Sequence, residues 1–242
     1  MRGLTLAAAL LAGPAMASDC RDLAFEGKSY TACRIDPADE DVRLWLRDDT
    51  GRILGTFDRV NERLGAEGLT LGLAMNAGMY HQDRRPVGLY VEDGAEAAPI
   101  VTREGPGNFG MLPNGVLCLG EGTASVVESR RFAEDRPACR FATQSGPMLV
   151  IGGALHPRFI PGSDFLNVRN GAGVAPDGAL WLAISNEPVN FHDFARLFRD
   201  ELGTPDALYF DGSVSRLYRR DTGRHDLGFP LGPIIGTAVP AD

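Results

Sequence analysis

Apolar positions alternate with polar ones along much of this chain. Val42, Leu44 and Leu46 recur every second residue across 41–48, the period of a strand with one buried face. Further strand-like segments lie at 69–76, 86–94, 114–120, 124–129, 146–153, 178–185 and 206–210. Within them, "GLAMN" and "ALYF" are almost wholly apolar, as suits strands buried on both faces. Two segments change to a helical period. "TFDRVNERLG" sets Phe57, Val60 and Leu64 on one face, and "NFHDFARLFRDELG" does the same with Phe191, Phe194, Phe198 and Leu202. In the second, Asn190 is a suitable N-cap, and Gly203 is a natural stop. The 30 glycines and 16 prolines are spread along the chain, which fits short strands joined by tight turns. The pattern therefore predicts an α+β fold: one continuous domain with a mixed, strand-rich sheet and a few packing helices. The helix at 190–203 links strand 178–185 to strand 206–210. Ligands gather at the carboxyl ends of strands joined in this way, where Asn186, Glu187 and Asp211 lie.

The first residues carry one early positive charge, an apolar run and Ala15-Met16-Ala17 before Ser18. That order is a signal peptide over residues 1–17, with cleavage near Ala17 and a mature domain over 18–242. The apolar run is short and interrupted by Gly13-Pro14, a poor membrane span. The expected location is periplasmic or secreted. Four cysteines remain after cleavage, an even number suited to an oxidising compartment. Of three possible pairings, Cys20–Cys33 and Cys118–Cys139 are favoured because each closes a short loop. The formal net charge is −8, and no basic run occurs, so nucleic acid is not an expected partner. In so acidic a chain an anionic ligand must be met by individual arginines.

Four stretches bring polar groups to turns or strand ends. Residues 75–88 offer Asn76, His81, Arg84 and Arg85, and 142–149 offer Gln144 and Ser145 beside Gly146-Pro147. Residues 167–178 offer Arg169 and Asn170; the fourth stretch, "YFDGSVS", offers Asp211, Ser213 and Ser215. Each has a plain structural reading. Asp-Gly alone is a hairpin turn more often than a site. Ser-Gly-Pro is a turn, and Thr143 stands where a G-x-S-x-G elbow would need its first glycine. Arg169 suits a surface position, and Asn76 suits a satisfied amide closing a strand. The four histidines are scattered, without H-E-x-x-H or CxxC spacing, so neither a metal nor another cofactor is implied.

The ordered set "SGPML", "RNGAGVAPDGALWLAIS", a helix and "ALYFDGSVS" resembles the phosphodiester glycosidase domain family. "AMNAGMYHQDRRPVGLYVEDG" upstream resembles that family's early Asn-Gly-Gly strand end, and the likeness spans about residues 70–240. It is greatest to the exported bacterial branch of the family. The resemblance implies a hydrolase that cleaves a sugar C1–O–phosphate bond, acting on a sugar phosphate or cell-envelope glycan. An oxocarbenium-like centre calls for a carboxylate, Asp211, with Glu187 as partner. A leaving phosphate calls for a guanidinium, Arg169 first and Arg85 second. Asn76, Ser145, Gly146, Asn170, Asn186, Gly212 and Ser215 are then expected to hold sugar and phosphate. One departure stands out: Ser213 occupies the second glycine of the family's Asp-Gly-Gly-x-Ser. A side chain there narrows the approach of a ligand, and favours the alternative of a glycan-binding protein that hydrolyses nothing.

Overall fold

The structure, a computed structural model, describes residues 18–241; the segment read as a signal peptide lies outside the described residues. In chain order the strands are β1 (Asp19–Phe25), β2 (Lys28–Ile35), β3 (Asp41–Trp45), β4 (Leu69–Asn76), β5 (Tyr90–Glu92) and β6 (Ala95–Ala98). There follow β7 (Gly115–Gly120), β8 (Thr123–Glu128), β9 (Phe141–Ser145), β10 (Met148–Ile151), β11 (Ala154–Leu155) and β12 (Asn170–Val174). The last are β13 (Leu180–Ser185), β14 (Asp206–Asp211), β15 (Leu217–Arg219), β16 (Arg224–His225) and β17 (Ile234–Pro240). The helices are α1 (Phe57–Gly65), α2 (Ser129–Asp135) and α3 (Phe191–Arg196), the last running into a π-turn at Leu197–Glu201.

The α+β class is as expected, but the strands are divided among three sheets. Their orders are β1-β2-β13-β12-β14-β10-β11, β16-β15-β4-β17-β3 and β6-β5-β9-β7-β8. Adjacent strands pair antiparallel in each. β13 and β14 both pair with β12, so they run parallel to each other on its two sides. α3 with its π-turn makes the crossover between them. The carboxyl ends of β13 and β14 therefore meet the amino end of β12 at one edge, where Asn170 faces both Ile184 and Asp211.

β12 is hard to recognise in sequence because "NGAGV" has little strand propensity. Space explains its composition. A Cβ on Gly171 would lie 2.5 Å from the Leu208 carbonyl oxygen, and one on Gly173 would lie 2.6 Å from Thr204 Oγ1. The small residues let α3 and β14 close over the strand.

The core draws on all three sheets, with Leu44, Met75, Leu117, Leu182, Phe210 and Ile235 in one buried cluster. Phe191, Phe194, Phe198 and Leu202 pack together with Leu149, Ala207 and Tyr209, as the helical period predicts. Phe57, Val60 and Leu64 cover Leu71 and Ile234. Asn190 caps α3 by accepting the Asp193 N–H at 2.8 Å. Both favoured disulfides are present, Cys20–Cys33 across the β1–β2 hairpin and Cys118–Cys139 between β7 and the approach to β9. Two disulfides fit an exported protein. No helix among the described residues is long and apolar enough to cross a membrane.

Asp211-Gly212 is not the tip of a hairpin. β14 belongs to the first sheet and β15 to the second, so residues 211–217 carry the chain from one sheet to another.

Candidate active site

The crossover is held by two buried amides. Asn76, at the end of β4, donates from Nδ2 to Asn170 Oδ1 at 3.1 Å. Asn170 Nδ2 donates in return to the Asn76 carbonyl at 2.7 Å. Asn76 Oδ1 accepts the Arg216 N–H at 3.0 Å. The Ser215 hydroxyl lies 3.2 Å from Asn170 Oδ1 and 2.9 Å from the Asp211 carbonyl oxygen. Both asparagines are fully buried. The structure thus brings Asn76, Asn170 and Ser215 to Asp211, and occupies them in building the loop that carries it. Ser145 adds a further tie, donating to the Phe210 carbonyl at 3.0 Å. Gly146 follows it, with its Cα packed so closely that a Cβ would lie 2.6 Å from Asn114 Cβ.

Asp211 is half-buried at the end of β14. Its Oδ1 accepts the N–H groups of Gly212 and Ser213, the second at 2.7 Å. Among the described residues no hydrogen bond is formed by Oδ2, which is left for a ligand. Burial pushes the carboxyl above its ordinary range, against the pull of the backbone N–H groups at Ser213, Gly212 and Val214. Two phenols flank the carboxylate. Tyr209 stands two residues before Asp211, across a β-bulge in the β12–β14 pairing, and Tyr80 belongs to the segment after β4. Burial raises both phenols, and the negative charge of Asp211 adds to each shift.

Gly212 is required by space: a Cβ there would lie 2.3 Å from Tyr209 Oη and 3.2 Å from Asn167 Cβ. Ser213 is exposed, and its φ lies outside the left-handed region that glycine alone favours. The serine therefore sits without backbone strain, and its N–H orients Asp211.

Arg169 is fully buried, an unusual setting for a guanidinium. Nε donates to the Val189 carbonyl at 2.8 Å, Nη2 to the Phe165 carbonyl at 2.9 Å, and Nη1 to Tyr209 Oη at 3.3 Å. Its Cζ lies 3.7 Å from the Phe191 ring centroid. Burial lowers its pKa, and Tyr209 opposes that shift. Carbonyls, a phenol and aromatic faces stabilise the charge, since no ion pair reaches it among the described residues. Arg169 thus reaches Asp211 through Tyr209.

Three expected residues are turned elsewhere. Glu187 is 3.7 Å from Lys28 Nζ in an exposed ion pair. Asn186 joins Thr31, Ser29 and Arg224. Arg85 is held by Asp83, through both its backbone N–H and its guanidinium. Among the described residues no hydrogen bond or ion pair joins any of the three to Asp211. Sequence reasoning offered Arg84 beside Arg85 and missed Tyr209, Tyr80 and Arg216 as neighbours of this loop. The place of Tyr209 two residues before Asp211 was signal enough for it; nothing in the sequence marked Tyr80 or Arg216. Among the described residues no group of three or more His, Cys, Asp or Glu side chains is assembled to hold a metal.

A buried amide pair, a carboxylate at a strand end and a sheet-to-sheet crossover all lie within residues 70–225, the segment matched by the sequence profile for phosphodiester glycosidases. The chain belongs to the phosphodiester glycosidase family. It is 30% identical over 220 residues to the uncharacterized protein YigE of Escherichia coli (strain K12), covering 91% of this chain and 86% of that one. Among solved structures it is similar in fold to the catalytic domain of zebrafish N-acetylglucosamine-1-phosphodiester alpha-N-acetylglucosaminidase, auto-inhibited by its pro-peptide. That likeness has a TM-score of 0.64 at 12% identity and covers 93% of this chain and 84% of that one. A hypothetical protein from Synechocystis has a TM-score of 0.60 at 13% identity over 92% of this chain. This phosphodiester glycosidase family member spans 62% of that protein's length.

Proposed function

We propose that the protein is an exported hydrolase that breaks the sugar C1–O bond of a sugar phosphodiester, with Asp211 as its catalytic carboxylate. The observation that carries this reading is the Asp211 carboxylate itself. One oxygen is fixed by two backbone N–H groups, the other accepts no side-chain hydrogen bond among the described residues, and the loop beneath is held by buried amides. Membership of the phosphodiester glycosidase family supports the substrate class, and the paired cysteines support export.

In the reaction, Asp211 Oδ2 accepts a proton from water as the water oxygen bonds to C1. The C1–O bond breaks, and its electron pair leaves on the phosphate oxygen. The products are a free sugar and a phosphomonoester, and the proton passes from Asp211 to solvent. A second carboxylate as general acid is not demanded, because a phosphate is an adequate leaving group without protonation. Glu187, turned toward Lys28, is consistent with a site of one carboxylate. Arg169 acts as a positioning residue: it fixes Tyr209 beside Asp211 and places positive charge behind it.

Ser213 was the feature that favoured binding without hydrolysis. It is exposed and has an ordinary φ, so the serine fits the loop without backbone strain. The test offers wild type and Asp211→Asn a panel of sugar 1-phosphodiesters, following free sugar by chromatography and phosphomonoester by ³¹P NMR. Wild type should cleave one member, and Asp211→Asn should lose at least about a hundredfold in kcat, as expected for loss of a general base. Full turnover by a folded Asp211→Asn would exclude the carboxylate role.

A further inference from the structure

Arg216 lies five residues beyond Asp211, and its guanidinium takes no part in the hydrogen bonds that build the Asp211 loop. The residue is only 8% exposed. Its Nη2 is shielded from solvent and has no hydrogen-bond partner. Gly228 lies flat against it: a Cβ there would be 3.3 Å from Arg216 Cζ and 3.4 Å from Nε. The charged and titratable groups that act on Arg216 are Tyr80, Asp226 and Arg84. Asp226 is already committed. Its Oδ2 accepts the Leu217 N–H at 3.0 Å and Arg224 Nη2 at 2.9 Å, and its Oδ1 accepts Arg224 Nε at 3.0 Å.

Arg84 is the second cation of this group. It adopts φ 69°, a left-handed conformation that costs a non-glycine residue energy and tends to be kept where function needs it. That conformation sets its guanidinium 5.1 Å from the Tyr80 ring centroid. Neither arginine forms an ion pair among the described residues, whereas the neighbouring Arg85 is paired with Asp83. In a chain where 32 acidic residues outnumber 24 basic ones, two guanidiniums held near one phenol, with the one carboxylate acting on Arg216 already bonded to Arg224, are a poor arrangement for stability alone. An anionic ligand would relieve it.

We propose that Arg216 and Arg84 form the site that recognises the substrate's phosphate, on the Tyr80 side of Asp211. The inference rests on the hydrolase reading above and assigns its substrate polarity. The phosphodiester group lies toward Tyr80, and the sugar lies toward Tyr209. A guanidinium with a free Nη2 offers the in-plane N–H geometry that a phosphate oxygen takes, and Arg84 supplies a second charge. Arg169 is fully buried and spends one N–H of each nitrogen on protein, which disfavours it for direct phosphate contact. Access to Nη2 requires the Leu227–Pro230 tip to yield. Its Leu227 and Phe229 side chains are 81% and 79% exposed, so little packing opposes that movement.

The test titrates inorganic phosphate by calorimetry into the wild-type chain and into Arg216→Gln, Arg84→Gln, Arg216→Lys, Arg169→Met and Asp211→Asn, each first shown folded by near-ultraviolet circular dichroism. Phosphate affinity should fall at least tenfold in Arg216→Gln and several-fold in Arg84→Gln, and should recover in part in Arg216→Lys. Asp211→Asn should bind at least as well as wild type. In turnover, Arg216→Gln should lose at least tenfold more kcat/KM on the best sugar 1-phosphodiester than on the 4-nitrophenyl glycoside of the same sugar. No measurable phosphate binding by wild type, equal binding by Arg216→Gln, or a loss confined to Arg169→Met overturns the proposal. Phosphate binding lost in Arg216→Gln, with no sugar released from any diester by wild type, would retain the anion site and reject the hydrolase.

Discussion

Removing one amide at the junction of two sheets tests whether the Asp211 loop is held as described. Asn76→Ala breaks two side-chain hydrogen bonds, Nδ2 to Asn170 Oδ1 and the Arg216 N–H to Oδ1. The third bond of the group, from Asn170 Nδ2 to the Asn76 carbonyl, uses backbone and survives. Asn170 Oδ1 keeps Ser215, so the one group left bare is the Arg216 N–H. A lost neutral hydrogen bond costs about 1 kcal/mol, and an orphaned buried N–H about 1–3 kcal/mol, giving roughly 2–4 kcal/mol in all. At this chain length that is a fall in Tm of roughly 5–15 °C. Urea unfolding should show a lower midpoint with the slope unchanged. The cycle completed with Asn170→Ala should give a coupling of about 1 kcal/mol or more. A loss below about 1 kcal/mol at constant slope, or additivity of the two substitutions, would refute the claim that these amides lock the crossover.

Four other outcomes follow from the same structure. Burial holds the Asp211 carboxyl above its unfolded pKa of about 3.9, so its stabilising contribution is full below that value and is lost as pH rises through the folded pKa. Asp211→Asn should therefore raise Tm at neutral pH, with the gain shrinking toward pH 3; a lowered Tm at pH 7 would contradict the sign. Gly212→Ala forces its new methyl against Tyr209 Oη and should cost about 1–3 kcal/mol in denaturant melts together with most turnover. Ser213→Gly, at an exposed position, should change stability by less than about 1 kcal/mol. Replacing Cys118 and Cys139 by serine opens a bridge of sequence separation 21 and should cost about 3 kcal/mol, read as the difference between oxidised wild type and the double variant.

Local signals in this chain were legible where one physical effect dominated. α1 and α3 follow from a 3.6-residue apolar period with a capping side chain, and the structure buries the same faces. Strands such as β4 and β13 follow from apolar runs bounded by turn residues. β12 was missed because its glycines answer to the backbone and helix that close over it. β1 and β2 were missed because their partly exposed hairpin lacks a clean alternation. α2 has few apolar positions and only Ser129 and Phe132 buried. In the site, Asp211 could be named from its place at a strand end. Arg85 and Arg84 could not be told apart, since only a left-handed turn and an ion pair with Asp83 direct one to Tyr80 and the other to solvent. Glu187 stood at the expected strand end, but its side chain was free to find Lys28.

The sequence by itself determined the α+β class, the two favoured disulfides, the helical faces and the family with its Asp211 turn, because each rests on residues close in the chain or on an ordered set of short motifs. Only the tertiary structure decided what those motifs do. It joined Asn76 to Asn170 and Arg216 across sheets, buried Arg169 among carbonyls and rings, and left Arg216 Nη2 without a hydrogen-bond partner among the described residues. The reason is physical: burial and hydrogen-bond saturation depend on which distant segments meet. An arginine in a sequence has the same five donors whether the fold uses all of them or leaves some for a ligand.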